Sequence, residues 1–330
     1  MDQLLKVNDL RVSFFTYAGE VQAVRGVNFE LYPQETIAIV GESGCGKTVS
    51  IQTSMGLLRK PGKVMSGEVL YQGENILRYS KKQLQELQGN GMAMIFQDPL
   101  TYLNPTMRVG DQIAEAYRRH HKCSKKEAEE KVLEMMRLVS LPDPEQNMRR
   151  YPHQLSGGMR QRVMVAIALV CNPKILFADE PTTALDVTIQ AQIIDLINEL
   201  KEKLGTSVVL ITHDLGVVAK MAERIYVMYA GQVVEHGDAR TIFHNPQHPY
   251  TQGLLASSPR LDAENKAQLS SIPGTPPDLI APPVGCPFAA RCSRAMKICA
   301  RCQPEYTRFA EPDHYAACWL HHPNAKGGAL

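Results

Sequence analysis

The chain has 330 residues, 44% of them apolar and 21% charged, which is enough for a sizeable core at roughly 100–200 residues per domain. That excludes a wholly disordered, collagenous or rod-like chain. Thirty-six Lys and Arg against 34 Asp and Glu leave a net charge of +2, too balanced for a chain whose main task is coating nucleic acid or an anionic membrane.

The N-terminus, MDQLLKVNDL, has an acid at position 2 and no long apolar stretch, so it does not read as a secretory signal. The longest apolar run, Val163 to Cys171, is nine residues, far short of the roughly 18 that a membrane span needs. A soluble cytosolic protein is expected. Thr36 to Val40 (TIAIV) reads as a buried strand closing at a glycine, and residues 67–72, 92–96, 174–178 and 207–211 read the same way. Directly after the first comes Gly41-Glu42-Ser43-Gly44-Cys45-Gly46-Lys47-Thr48, which fits GxxxxGK[ST]. Glycines let the backbone wrap around phosphate, successive N–H groups point inward, and a helix starting near Lys47 adds its positive end. Lys47 can reach the β- and γ-phosphates of a nucleotide, and Thr48 can ligate Mg²⁺. Cys45 fits the space inside the loop, where oxidation would block the nucleotide. Gln97, at the end of the 92–96 strand, is placed to touch Mg²⁺ or the attacking water.

From about 105 to 150 the pattern changes. Ser124 with Glu127 makes a capping box, and Ala128, Val132, Leu133, Met136 and Val139 follow at helical spacing until Pro142 ends the run. This predicts a helical insertion in an α/β domain. The basic cluster Arg118-Arg119-His120-His121-Lys122 with Lys125 and Lys126 has Tyr117 as its one aromatic neighbour, so it reads as a solvated face rather than a nucleic-acid site. Leu155-Ser156-Gly157-Gly158-Met159 precedes a helix, with Ser156 as its natural cap. A serine, two glycines and a helix N-terminus make a second anion site. One chain does not need two such sites for one γ-phosphate, so the second is expected to serve a partner's nucleotide. The strand Ile175-Leu-Phe-Ala ends in Asp179-Glu180; Asp179 would hold Mg²⁺ and Glu180 would polarise the attacking water as general base. Between this strand and 207–211, Ile189, Ile193, Leu196, Ile197, Leu200 and Leu204 recur at helical spacing before Gly205, and strand, helix, strand implies a parallel sheet. His213 follows the last strand, where a side chain projects toward the phosphate. YAGQVVEHG from Tyr229 reads as a small hairpin. Five prolines between Ile272 and Pro283 make a stiff linker.

The order phosphate loop, Gln97, Leu155-Ser-Gly-Gly, Asp179-Glu180, Ala184-Leu-Asp186, His213 resembles the nucleotide-binding subunit of ABC transporters over residues 1 to about 235. The resemblance implies an α/β ABC-type P-loop ATPase, with a RecA-like core, an antiparallel β subdomain and a helical insertion. Two such domains would sandwich two ATPs, each between the phosphate loop of one and Ser156, Gly157 and Gly158 of the other, with His213 at the γ-phosphate and Asp186 in the nucleotide site. The family's signature segment usually ends in Gln; here Met159 stands there, so no Gln contact is carried over. An aromatic stacks on adenine in this family, and Tyr17 is the match by its place before Gly19-Glu20, with Phe15 as rival and a plain core role as the alternative.

Asn245-Pro-Gln-His-Pro-Tyr-Thr251, the proline linker and Gly285-Cys286-Pro-Phe-Ala-Ala-Arg-Cys292 with Cys299 and Cys318 look like the dipeptide/oligopeptide importer branch, which also includes nickel importers. This implies an ATP-binding domain over 1–258 with its helical insertion at about 98–158, a linker over 259–285 and a small Cys-rich C-terminal domain over 286–330. It also implies a second related ABC ATPase, two transmembrane permease subunits that dock on the insertion, an external peptide-binding protein, no nucleic acid, and a place on the cytoplasmic face of the membrane. The family pattern further implies a [4Fe–4S] cluster on Cys286, Cys292, Cys299 and Cys318. Cys302 is extra and could replace Cys299; zinc is the rival metal, with His314, His321 and His322 nearby, and unligated thiols are the third reading. A soluble ABC ATPase of DNA repair or translation and an ATP-binding electron carrier are the readings from other classes.

Overall fold

The computed structural model describes residues 2–182, 186–257, 271–323 and 325. In chain order the strands are β1 (Leu5–Thr16), β2 (Gly19–Leu31), β3 (Thr36–Val40), β4 (Gly62–Tyr71), β5 (Glu74–Asn75), β6 (Met92–Ile95), β7 (Ile175–Asp179), β8 (Ser207–Ile211), β9 (Arg224–Tyr229), β10 (Gln232–Asp238), β11 (Tyr306–Arg308) and β12 (Tyr315–Ala317). The helices are α1 (Lys47–Ser54), α2 (Lys81–Leu87), α3 (Pro99–Tyr102), α4 (Val109–His120), α5 (Lys125–Leu138), α6 (Pro144–Asn147), α7 (Gly157–Leu169), α8 (Val187–Leu204), α9 (Leu215–Met221), α10 (Ala239–His244) and α11 (Pro249–Ala256). The chain divides into two compact units. Unit one is built on Leu31–Thr36 and Arg78–Ile211, unit two on Gln3–Glu30, Ile37–Leu77 and Thr212–Leu330.

Unit one pairs β6, β7 and β8 in parallel, Ile95 opposite Ala178 and Asp179 opposite Ile211. Both β7 and β8 are buried at every residue, as near-continuous apolar strands of a covered parallel sheet must be. The expected insertion, about 98–158, holds α3 to α6 and ends where α7 begins. Its α5 opens on the expected capping box, Ser124 accepting from the Glu127 N–H, and its buried stripe is Ala128, Val132, Met135 and Met136. The helix stops at Leu138, before Pro142 is reached. Leu141 N–H donates to Met136 O and Ser140 sits at φ 54, so a left-handed C-terminal turn closes it first. Helix α8 ends as the sequence indicated, on Gly205 at φ 66.

Unit two carries the antiparallel sheet β2-β1-β4-β5 and the run β11-β12-β10-β9-β3. β3 pairs β9 in parallel, while β9–β10, β10–β12 and β11–β12 are antiparallel. β4 starts five residues before the expected 67–72 strand, because its pairing with β1 runs back to Phe14 opposite Gly62. The Cys-rich tail, expected as a small domain of its own, is hydrogen-bonded to the cassette: Ala316 faces Glu235 across β12 and β10. Cys286, Phe288 and Cys299 belong to the same buried cluster as Ala38, Val40, Val227 and Tyr250. A tail of 45 residues, 286–330, buries little apolar surface alone, and this one shares the core of β3 and β9. Among the described residues no helix is long and apolar enough to cross a membrane.

Candidate functional site

The phosphate loop lies in unit two, between β3 and α1. Gly46, the residue before α1, has φ 101, and a Cβ on it would stand 2.4 Å from Ala23 O. A Cβ on Gly41 would stand 2.1 Å from Met228 O. Only glycine fits at either position, so both are demanded by backbone packing as well as by turn geometry. Because Gly46 has no side chain, α1 starts without a side-chain cap, and no acid lies in its first turn. Lys47 is buried, and its Nζ donates to Gly41 O at 2.8 Å and Glu42 O at 2.9 Å. The loop is thereby folded around its own cation. Cys45 is buried 3.8 Å from that Nζ, and burial pushes its thiol above the usual range. Thiolate character and access are what make a cysteine reactive, and both are low for this buried side chain, which fills the interior of the loop. Ser43 and Gly44 are exposed at the loop's crest, and Thr48 is half-buried on α1.

Tyr17 is fully exposed at the β1–β2 turn, which removes the core alternative for it. Phe15 is also exposed, with the Lys63 ammonium 5.1 Å from its ring centre. His213 is exposed one residue before Asp214, which caps α9 by accepting from Gly216 N–H at 2.8 Å and Val217 N–H at 3.3 Å.

In unit one the acid pair ends β7. Asp179 is buried, and Glu180 follows at φ 45, a left-handed backbone that a non-glycine residue adopts at a cost of about 1–3 kcal/mol and that is met often at functional sites. Its N–H donates to Ile211 O at 2.8 Å, which fixes the bend. Gln97 Nε2 donates to Glu180 Oε2 at 2.7 Å, so the two residues singled out for the attacking water touch each other. Ser156 caps α7 as expected, accepting from Met159 N–H at 3.3 Å. Ser156 and Gly157 are exposed, and Gly158 packs so closely that a Cβ would meet Ile189 at 2.9 Å. Asp186 caps α8 through Ile189 N–H at 3.0 Å; Ala184 and Leu185 of its segment lie outside the described residues, as does 258–270 in the expected linker.

The tail brings Cys286, Cys292, Cys299 and Cys318 together as the lining of one cavity, with His248, Phe288, Arg294 and Trp319. Cys302 is exposed and outside it, which sets aside its exchange with Cys299. Burial pushes the Cys286 thiol up to about 12 and that of Cys318 up to about 11. His248 is buried; its Nδ1 accepts from Tyr250 N–H at 3.0 Å, and its Nε2 has no hydrogen-bond partner. A buried donor left without a partner beside four thiols is what a sulfur-held centre would complete. The chemistry of this donor set fits iron–sulfur or zinc, although among the described residues no group of three His, Cys, Asp or Glu is arranged to hold an ion. His314 is committed elsewhere, its Nε2 lying 2.8 Å from buried Glu235 Oε1, and His321 Nε2 is 3.0 Å from Gln247 O.

Sequence reasoning assigned no role to Arg291, Tyr250 or His248. Arg291 Nη1 and Nη2 hold the Glu42 carboxylate at 2.6 and 2.9 Å, and Tyr250 Oη accepts from Glu42 N–H at 2.9 Å. The available signals were the segments His248-Pro-Tyr250 and Gly285–Cys292, the second holding Arg291, which marked the branch without indicating a contact.

Two family profiles match the chain: ABC transporter over residues 24–183, and oligopeptide/dipeptide transporter, C-terminal region, over residues 234–299. The dipeptide transport ATP-binding protein DppD of Bacillus subtilis is 55% identical over 331 residues, covering 100% of this chain and 98% of that protein. The oligopeptide transport ATP-binding protein OppD of Salmonella typhimurium is 51% identical over 316 residues, covering 96% and 93%. A solved ATP-binding cassette, a dimer in a post-hydrolysis state bound to ADP and Pi, superposes with a TM-score of 0.65 at 27% identity, covering 72% of this chain and 99% of that one.

Proposed function

This chain belongs to the ATP-binding subunits of ABC transporters, in the dipeptide and oligopeptide branch, and from that footing we propose that it hydrolyses ATP to energise peptide import across the cell membrane. Membership displaces the soluble repair or translation ATPase and the electron carrier as readings. The observation that carries the reading is the phosphate loop: glycines that only glycine can replace, a buried Lys47 and an uncapped helix start. Residues 1–258 serve as the cassette, 259–285 as linker and 286–330 as tail.

Lys47 and the loop N–H groups, from Gly41 to Thr48, bind the nucleotide phosphates, and Tyr17 stacks on adenine. Thr48, Gln97 and Asp179 are the residues that would hold Mg²⁺, which when bound supplies charge neutralisation at the phosphates. Glu180 accepts a proton from the attacking water, and Gln97, in contact with its carboxylate, orients it. His213 holds the γ-phosphate region. Asp186 belongs to the nucleotide site, and Ser156, Gly157 and Gly158 act on the nucleotide of a second, related ATPase. The exposed start of α7 supports this, because the serine cap and the helix end are open to another chain. Permease subunits are partners of the family; docking on the insertion, an external binding protein and the cytoplasmic face of the membrane complete the proposal. In the assembled transporter Glu180→Gln should retain ATP binding and lower turnover about 10²–10⁴-fold; near wild-type turnover would remove Glu180 from the role.

The tail is proposed to hold a sulfur-ligated centre, a [4Fe–4S] cluster ahead of zinc, on Cys286, Cys292, Cys299 and Cys318. Support comes from their shared cavity and the partnerless His248 Nε2. When bound, such a centre ties four chain positions to one point. Anaerobic purification should give about four iron and four sulfide per chain. Zinc alone would replace the cluster by the rival metal, and no metal in a folded, ATP-binding chain would remove the centre.

A further inference from the structure

The phosphate loop carries an anionic side chain of its own. Glu42 is the second residue of a loop whose proposed task is to gather phosphates, and a bare carboxylate there would repel them. The structure answers this from 249 positions away. Arg291 takes the Glu42 carboxylate in a two-pronged ion pair, Nη1 to Oε2 at 2.6 Å and Nη2 to Oε1 at 2.9 Å, a geometry only arginine supplies. The arginine side chain is 5% exposed and the glutamate side chain 26%. Arg291 is itself held: Nε donates to Pro273 O at 2.8 Å, Nη2 to Ile272 O at 3.3 Å and Nη1 to Tyr229 Oη at 3.2 Å. Its guanidinium also lies 5.7 Å from the Tyr229 ring centre. The backbone of Glu42 is fixed separately, by Tyr250 Oη. Tyr250 is fully buried and packs on Tyr229, with ring centres 4.6 Å apart. Charge, carboxylate direction and backbone of one loop residue are thus set by two residues of the C-terminal third.

We propose that Arg291 is a positioning residue for nucleotide binding: it neutralises Glu42 and pins it, so that the phosphate loop presents its N–H donors to the nucleotide without a competing anion, while Tyr250 anchors the Glu42 backbone. The proposal rests on the nucleotide-binding reading above and gives the tail turn a part in it. Arg291 sits between Cys286 and Cys292, so the segment that shapes the four-thiol cavity also reaches the phosphate loop.

The test is equilibrium Mg–ATP binding by the purified full chain, with KM and kcat measured in the assembled transporter. Arg291→Gln should weaken binding about tenfold or more, as loss of a buried charge-assisted pair implies, and the change should fall on KM rather than kcat. Arg291→Lys should lie between. The signature that tail packing alone would not produce is rescue: the double variant Glu42→Gln/Arg291→Gln should recover most of the affinity lost in Arg291→Gln. Tyr250→Phe, which changes neither charge nor bulk, should cost about threefold, as loss of one hydrogen bond implies, and it keeps the test alive if Arg291→Gln does not fold. Affinity within twofold of wild type in Arg291→Gln overturns the proposal, as does a double variant as weak as that single one; where only Tyr250→Phe folds, unchanged affinity overturns it. Lys47→Ala separates the two readings: if the unaltered chain binds no ATP the nucleotide reading fails, whereas loss in Lys47→Ala with none in Arg291→Gln fails this proposal alone.

Discussion

Two helices of this chain begin on glycine-containing turns, and they are built differently. Helix α1 starts on Gly46 in a left-handed conformation, with no side-chain cap and with buried Lys47 as its first residue. Helix α7 starts on Ser156, whose hydroxyl takes the Met159 N–H, and Ser156 and Gly157 are exposed there. Neither has an acid in its first turn, so both keep the positive end of the helix available to an anion. The contrast suits two tasks. One helix start is folded into a closed loop of its own unit, around its own lysine. The other starts on a serine-capped turn with Ser156 and Gly157 exposed, as the proposed role toward a second chain's nucleotide requires.

Lys47→Ala should separate the two most sharply. Loss of a buried, charge-assisted donor is expected to weaken ATP binding by the isolated chain about 10–100-fold, read by nucleotide titration. A smaller loss, about tenfold, is expected for Gly46→Ala, because a left-handed alanine costs about 1–2 kcal/mol before its overlap with Ala23 O is counted. Ser156→Ala removes a helix cap worth about 1 kcal/mol. Its effect on ATP binding should be larger in the assembled complex than in the isolated chain, and equal effects in both would break the comparison.

The phosphate loop, the Ser156 cap, the Ser124 capping box and the Gly205 stop were legible because each is decided within about eight residues, by turn geometry and local hydrogen bonds. The strands TIAIV, ILFAD and SVVLI were legible because strands buried on both faces are apolar throughout. The long β1 and β2 were not read as strands: their polar, half-exposed faces give a weaker signal. The end of α5 was misread because Pro142 is a strong stop in sequence, while a Ser140 turn that acts earlier leaves no such mark.

What the sequence determined by itself is the chemistry of a glycine loop with a lysine, an acid pair after a strand and a serine-capped helix, each a local pattern whose residue types dictate what it can bind. The clustered cysteines left iron–sulfur, zinc and unligated thiols open. Tertiary structure alone decided which distant groups meet. Gln97 and Glu180 are 83 positions apart and Arg291 and Glu42 are 249 apart, and β12 pairs with β10 instead of closing a domain of its own. No periodicity records such contacts. Burying the apolar faces of β3, β9 and the tail in one core brings their polar residues together, and an isolated segment has no such core.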